Sequence, residues 1–473
     1  MAVQPLYIIK IGGSMNIIKS GDTRVTKIIN KKKLNPDAEY RLSLFTYLYS
    51  ENGRFILYNT LSFEVTELTE QEWNAVQQMT DKFVSYDYVV SNGLEQLAMS
   101  RYIVECDYDE VKQYQQTVFL LKTMAGLKKG IVGYIILPTT GCNARCVYCY
   151  EEGYPVKTMT KETADRVVDY ICETRYNGTI QIRWFGGEPL ANASIIRYIC
   201  TALNERGAVF KSNMVTNASL MTKELAREAR ELWRLHEVQV SLDGAKEDYT
   251  PRKNYYNPEK HNYDVVMKAV HYLADEGIKV NLRVNVDFDN IDRIPAFLQG
   301  IKDEFGEYQN ISLYIAPLFQ EQHGERCEEL YREIFRLTDL QNRLGIPRST
   351  KAEHQAVRLR TNFCMSDNIE HCVVITPDGV FNNCEHLPEA QTWGNIFDGV
   401  TDQAKRDELQ KPLPVDEKCA KCPFLPQCTP FYKNGCPGWF EKCYDYHCMR
   451  TEHAMHNLLE GVNTVAEDDD EEI

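Results

Sequence analysis

Three cysteines, Cys142, Cys146 and Cys149, follow the apolar run Ile131–Leu137 at the spacing C-x3-C-x2-C. A strand that ends in such a loop must bring three thiols to one side of one turn. Three thiolates can ligate three irons of a [4Fe–4S] cube and leave the fourth iron open. An open iron accepts a small bidentate ligand. The competing reading is a structural zinc ion, which takes four ligands. No fourth Cys or His stands near this loop in the sequence, so the cluster reading is the stronger one.

The remaining cysteines point to the same chemistry. The chain of 473 residues carries 16 of them, none before Cys106, and nine fall from Cys364 to Cys448. The start, Met1-Ala-Val-Gln-Pro-Leu6, has no charged region leading into an apolar stretch, so no secretory signal is expected. No apolar run approaches the roughly 20 residues of a membrane helix. The expectation is a cytoplasmic protein with no membrane partner. In that compartment disulfides explain dense thiols poorly, and metal binding explains them well. A net charge of −15 argues against nucleic acid as a partner. The acidic run Glu467–Glu472 reads as a solvated tail, and Lys31–Lys33 as solvated surface.

Periodicity divides the chain. Residues 1–125 read as a small α+β module: short strands over Phe55–Tyr58 and Phe63–Leu68 around a turn near Asn59 and Thr60. A capping-box helix start at Thr69-Glu-Gln-Glu72 follows. Residues 126–325 alternate β-rich apolar runs with helix-length segments. The runs are Ile131–Leu137, Ile180–Phe185, Asn213–Thr216, Val238–Leu242, Val280–Val286 and Ile311–Ala316. Such alternation predicts parallel βαβ units, here an α/β fold with a partial (β/α)6 TIM-like barrel. Chemistry then belongs at the C-terminal ends of the strands. Residues 326–460 read as a helical connector followed by a Cys-, Pro- and Gly-rich iron–sulfur domain. That stretch is too irregular for a large apolar core, and bound metal is the natural staple for it. Residues 461–473 form the tail.

Further motifs close the predicted strands. Gly186-Gly187-Glu188-Pro189 ends the second; two glycines permit close backbone approach, and carbonyls beside Glu188 suit a ligand ammonium. By itself this is also a plausible turn. Asn217 ends the third strand, and Ser241 and Asp243 end the fourth, where such side chains can hold ribose hydroxyls or a carboxylate. Each is equally an ordinary strand exit. Arg252 and Arg283 are candidates to pair with a ligand carboxylate, or else plain ion-pair partners. Cys106, Cys172, Cys200 and Cys327 stand singly and read as ordinary core or surface residues.

Taken together, the C-x3-C-x2-C loop with Tyr148 before its last cysteine, the GGEP turn and the later strand ends resemble the radical S-adenosylmethionine (radical SAM) superfamily. The resemblance covers about 131–320. The cysteines from 364 to 450 resemble the SPASM domain, an extension with two auxiliary [4Fe–4S] clusters. Seven residues separate Cys428 from Cys436, where that family usually has three. By analogy, Cys364, Cys384 and Cys436 would hold one auxiliary cluster, with Cys372 a candidate fourth ligand. Cys419, Cys422, Cys428 and Cys448 would hold the other, with Cys443 spare. Gly186, Gly187, Glu188, Pro189, Asn217, Ser241, Asp243, Arg252 and Arg283 would bind S-adenosylmethionine.

The resemblance implies generation of a 5′-deoxyadenosyl radical that takes a hydrogen atom from an unactivated C–H bond. With the N-terminal module, it implies a maturase of ribosomally made peptides, of the sactipeptide or ranthipeptide kind, forming thioether or carbon–carbon crosslinks. Its partners would be a precursor peptide with a leader and a low-potential donor such as flavodoxin or ferredoxin. The hairpin at 55–68 is the expected leader-binding edge. The alternatives are a sulfatase-maturating enzyme that forms formylglycine and, in another class, a zinc-stapled binding protein.

Overall fold

A computed structural model describes residues 9–10, 16–31, 33–51, 53–126, 129–318, 320–323, 325–349, 359, 370–387, 389–411, 415–428, 448–449, 451–455 and 457–459. Cys364, Cys436, Cys443 and the acidic tail lie outside the described residues.

The N-terminal module runs β1 (Ile9–Lys10), β2 (Asn16–Lys19), α1 (Thr23–Ile29), β3 (Glu39–Leu42), β4 (Thr46–Glu51), β5 (Arg54–Asn59) and β6 (Val65–Leu68). It continues through α2 (Glu70–Gln77), β7 (Val84–Ser85), α3 (Tyr86–Ser91), α4 (Glu95–Met99), β8 (Ile103–Glu105) and α5 (Glu110–Gly126). The capping box at α2 is present: the Thr69 hydroxyl accepts from the Glu72 amide, and the Glu72 carboxylate accepts from the Thr69 amide. The hairpin, however, is not an edge. The sheet order is β1-β2-β6-β5-β4, so β5 and β6 are interior strands with partners on both sides. Strand β6 also starts later than the apolar run. Phe63 has φ 64°, a left-handed turn conformation that cannot join a ladder. A second sheet has the order β7-β3-β8.

The barrel runs β9 (Gly133–Ile136), α6 (Lys161–Thr174), β10 (Ile180–Trp184), α7 (Ala193–Glu205), β11 (Phe210–Thr216), α8 (Lys223–Glu231) and β12 (Leu235–Leu242). Then come α9 (Lys246–Lys253), α10 (Tyr263–Asp275), β13 (Lys279–Val286), α11 (Ile294–Phe305), β14 (Ile311–Pro317) and α12 (Cys327–Arg343). Neighbouring strands from β9 to β14 pair in parallel and in chain order. The two faces of this sheet differ. Val238, Val240, Leu242, Val280, Leu282, Val284 and Val286 are fully buried under the helices. The alternate positions, which point to the other face, are polar: Gln239, Ser241, Arg283 and Tyr314, with the Tyr314 hydroxyl donating to Gln239 Oε1 at 2.9 Å. A flat parallel sheet covered on both sides would be apolar on both. A polar inner face is what a partial barrel with an open lumen requires.

The Cys-rich region joins this sheet. Strand β15 (Cys372–Ile375) pairs in parallel with β9, placing Cys372 opposite Gly133. Strands β16 (Val380–Asn382), β17 (Thr392–Asn395) and β18 (Gly399–Val400) continue it antiparallel. Val373, Ile375, Phe381, Trp393, Ile396 and Leu409 enter the barrel's apolar core. The first part of the region therefore has a core after all, borrowed from the barrel, and α12 packs on the barrel as well through Leu330, Tyr331, Ile334 and Leu337. Among the described residues no helix is long and apolar enough to cross a membrane.

Candidate active site at the strand ends

The loop that follows β9 carries Cys142, Cys146 and Cys149, and it is tied to another strand end and to the end of a helix. Its first tie is to the GGEP turn after β10. A Cβ on Gly186 would lie 2.3 Å from the Thr139 carbonyl oxygen, and one on Gly187 would lie 2.5 Å from those of Thr140 and Gly141. Real side chains do not tolerate such distances. The two glycines thus serve a close backbone approach to the stem of the cysteine loop. The Glu188 amide donates to the Gly141 carbonyl at 2.9 Å. Pro189 opens the short 3-10 turn Pro189–Asn192, where its missing N–H costs nothing.

Glu188 is fully buried. Its carboxylate accepts from the Leu190 amide at 3.0 Å, the Thr216 hydroxyl at 2.7 Å and the Asn217 amide at 2.8 Å. It therefore pins the end of β10 to the end of β11. Asn217 extends the link: its Nδ2 donates to Asn143 Oδ1 at 2.9 Å and lies 3.9 Å from Cys142 Sγ. Its Oδ1 accepts from the Ser219 amide and hydroxyl.

The second tie is to the end of α9 and the residues that follow it. The Val147 amide donates to the Arg252 carbonyl at 3.0 Å, the Arg145 amide to the Asn254 carbonyl at 3.0 Å, and the Tyr256 amide to the Asn143 carbonyl at 3.2 Å. Ala144 and Tyr255 form an antiparallel bridge. Asn254 ends α9 in the left-handed conformation, φ 47°, which turns the chain along the loop. These contacts zip residues 143–147 of the loop to residues 252–256.

Asp243, at the end of β12, is fully buried. Its Oδ1 accepts from the Tyr148 hydroxyl at 2.6 Å and from Asn285 Nδ2 at 3.1 Å. Lys253 lies beside it, with Nζ 3.4 Å from Oδ2. The sequence reading stopped one residue short of this lysine. The only sequence signal is that it directly follows Arg252, and its burial becomes visible only once Asp243 is placed.

The two candidate arginines differ. Arg252 forms a two-pronged, mostly buried pair with Asp287, at 3.1 and 2.7 Å. Its two terminal nitrogens are engaged, which favours the ion-pair reading, while its Nε, like that of Arg283, is buried with no hydrogen-bond partner among the described residues. Arg283 sits on the inner face of β13, in register between Ser241 and Tyr314. Its Nε is buried and has no hydrogen-bond partner among the described residues. Ser241, half-buried, shares that inner face. An unpartnered guanidinium nitrogen and a hydroxyl on one polar wall suit a carboxylate-bearing ligand.

Burial pushes the Cys142 thiol up to about 12, with the Glu188 charge adding to it. A metal that ligates the thiolate must overcome that preference. Among the described residues no three Cys, His, Asp or Glu side chains are gathered as donors to a single metal ion. Three thiols on one loop, with Cys142 Sγ 3.9 Å from Asn217 Nδ2, are a donor set whose chemistry fits three irons of a cube.

Of the C-terminal cysteines, Cys419, Cys422, Cys428 and Cys448 fall in one neighbourhood. Burial, then nearby charges that include Cys422 and Cys448, pushes the Cys419 thiol up to about 11. Burial, then Cys448, pushes Cys428 up to about 12. This neighbourhood lies inside the N-terminal module. Cys419 and Leu425 share a core with Val25, Ile29, Phe45, Leu61 and Tyr114. Phe424 shares another with Tyr49, Ile56, Tyr58, Phe63 and Val65. Gln427 Nε2 donates to the Thr60 carbonyl at 2.6 Å. Cys384 is placed elsewhere. With Val374 opposite Asn382 in the β15–β16 hairpin, Cys372 and Cys384 come to the same end of it. The loop after Cys384 meets the loop after Cys149: the His386 and Tyr150 rings lie 4.1 Å apart, and the Tyr154 hydroxyl donates to the His386 carbonyl.

Known proteins are similar to parts of this chain. Fe-coproporphyrin III synthase of Methanosarcina barkeri is 28% identical over 166 residues, 35% of this chain and 40% of that protein. A PqqA peptide cyclase of Bradyrhizobium diazoefficiens is 22% identical over 162 residues, 34% of this chain and 40% of that one. The chain spans about half the length of the curated relatives it matches. Among solved structures, anSMEcpe with bound AdoMet has a TM-score of 0.56 at 18% identity, covering 71% of this chain and 99% of that one. The same protein with AdoMet and a Cp18Cys peptide gives 0.55 at 17% identity, covering 71% and 99%. Likeness at such identity is a likeness of fold. The model of the radical SAM superfamily matches residues 136–299, from the end of β9 into α11. The matched segment holds the cysteine loop, the GGEP turn and the strand ends they meet, and residues 136–299 are a radical SAM domain.

Proposed function

We propose that this chain is a radical SAM enzyme that modifies a ribosomally made precursor peptide, forming thioether or carbon–carbon crosslinks. One observation carries the reading: the three-thiol loop is held at the C-terminal mouth of a polar lumen by the ends of β10, β11 and β12. When bound, a [4Fe–4S] cluster and S-adenosylmethionine supply a 5′-deoxyadenosyl radical for hydrogen-atom abstraction. The chain's own residues position and seclude. Cys142, Cys146 and Cys149 would hold three irons. Gly186, Gly187, Glu188 and Pro189 fix the turn that abuts the loop. Asn217, Ser241, Asp243 and Arg283 offer polar groups to the ligand, with Arg283 better placed than Arg252 for a carboxylate. The apolar layer between strands and helices keeps water out from behind.

Cys419, Cys422, Cys428 and Cys448 would hold one auxiliary cluster. Cys384 and Cys372 would belong to the other, with Cys364 and Cys436. A low-potential flavodoxin or ferredoxin would supply electrons, and reduced thiols in this number suit the cytoplasm. The peptide reading is supported by one relative that is named a peptide cyclase and by the bound peptide in a protein of similar fold. The leader-binding edge moves from the 55–68 hairpin to the outer side of β4, whose described strand partner is β5 alone.

The experiment is anaerobic incubation of the reduced enzyme with S-adenosylmethionine and a synthetic peptide from a neighbouring Cys-rich reading frame, read by mass spectrometry. Loss of a hydrogen pair from the peptide supports crosslinking. Exchange of a cysteine's sulfur for oxygen together with loss of a hydrogen pair would replace it with formylglycine formation. No cleavage of S-adenosylmethionine would remove the enzyme reading and leave the zinc-stapled scaffold.

A further inference from the structure

Lys253 is a lysine with a side chain only 2% exposed, inside the wall of the candidate site. It is the middle of the segment whose backbone is zipped to the cysteine loop, between the Arg252 and Asn254 carbonyls that accept from Val147 and Arg145. Its Nζ donates to the Tyr148 hydroxyl at 2.9 Å and lies 5.5 Å from the centre of that ring. Tyr148 stands between Cys146 and Cys149 in the loop. The same hydroxyl donates to Asp243 Oδ1, and Asn285 Nδ2 reaches both Asp243 and Tyr148. Asp243 Oδ2 has no hydrogen-bond partner among the described residues. The Lys253 ammonium, 3.4 Å away, is its ion-pair partner among the described residues.

A buried carboxylate beside a redox group has a cost beyond desolvation. Its charge repels an added electron, and low dielectric carries that repulsion several ångströms. Arg252 also attracts the Asp243 charge, but it is paired with Asp287, whose carboxylate brings a second negative charge to the same place. We propose that Lys253 is a positioning residue that neutralises Asp243 and fixes Tyr148, so that the cysteine loop holds a cluster that can be reduced. This rests on the radical SAM reading of the loop. It deepens that reading by assigning a role to a residue outside every motif in the sequence.

The test is an EPR-monitored redox titration of the reconstituted full chain. The loop's cluster is recognised as the signal that disappears when Cys142, Cys146 and Cys149 are all changed to alanine. Lys253→Met leaves Asp243 uncompensated. At a fixed low poise the ratio of reduced to oxidised cluster should fall at least tenfold, which for a one-electron couple is 59 mV. Lys253→Met with Asp243→Asn removes both charges and should return the ratio to within about threefold of the native value. A merely structural lysine would not give that recovery. If Lys253→Met fails to load iron at the loop, restored loading in the double variant supports the same role, and failure of both overturns it. A native ratio in a loaded Lys253→Met also overturns it. A native chain with no iron at Cys142, Cys146 and Cys149 overturns instead the radical SAM reading beneath it.

Discussion

Replacing Phe424 with alanine should loosen a module that lies more than 300 positions away in sequence. Phe424 is 9% exposed and is buried in a core with Tyr49, Ile56, Tyr58, Phe63 and Val65. Its ring centre lies 5.5 Å from that of Tyr47. Truncating a core phenylalanine costs about 3–5 kcal/mol, of which an aromatic pair accounts for about 0.5–1.5 kcal/mol. The residual exposure places this site near the lower end, about 3 kcal/mol. Each ~1.4 kcal/mol is a factor of ten in an equilibrium constant, so opening of the N-terminal sheet should become roughly a hundredfold more frequent. Native-state hydrogen exchange reads this directly. Amides of β5 and β6 should lose about two decades of protection, while those of β12 and β13 keep theirs. Unchanged protection in β5 and β6 would refute the packing argument. Equal loss in the barrel would show one cooperative unit instead of a module completed by the cysteine segment.

Three further outcomes follow from named contacts. Removing residues 1–125 should strip iron from the Cys419 group, because Cys419, Phe424 and Leu425 would lose the cores that bury them; iron analysis that finds that group still loaded would contradict this. Gly187→Val should lower iron at the catalytic loop as well as ligand affinity, since its Cβ falls 2.5 Å from two loop carbonyls; native iron with weakened ligand binding alone would return the glycine to a purely ligand-facing role. Arg252→Ala should lower thermal stability by about 3–5 kcal/mol, the cost of leaving a buried partner charge unpaired, whereas Arg283→Ala should mainly weaken S-adenosylmethionine binding by calorimetry. The opposite ranking would exchange their roles.

The barrel was legible because its signals are local. Val280, Leu282, Val284 and Val286 announce a strand in one line of sequence, and helix-length spacers announce parallel pairing. The cysteine loop was legible because its spacing is chemical. What escaped depends on partners distant in sequence. Strand β4, Thr-Tyr-Leu-Tyr-Ser-Glu, lacks a clean alternation and gains its place only by pairing with β5. Missing it beside β5, and β2 beside β6, turned an interior hairpin into an apparent edge. Helix α9 contains Pro251 and a run of charges, which normally argue against a helix. It persists because Asp248, Tyr249, Arg252 and Lys253 are all buried there. Lys253 itself carries no local sign of burial, since its partners Asp243 and Tyr148 stand 10 and 105 positions away. Strand β15 was hidden inside a region whose cysteines spoke for metal, although Cys372-Val-Val-Ile375 is as β-rich as any barrel strand.

The central claim is that the loop of Cys142, Cys146 and Cys149 holds the cluster that cleaves S-adenosylmethionine. The direct measurement pairs iron content with 5′-deoxyadenosine formation, in anaerobically reconstituted native chain and in a variant with all three cysteines changed to alanine. The account predicts about 12 Fe per native chain from three four-iron clusters, and about 8 Fe with no 5′-deoxyadenosine in the variant. A variant that still forms 5′-deoxyadenosine under reduction would contradict it.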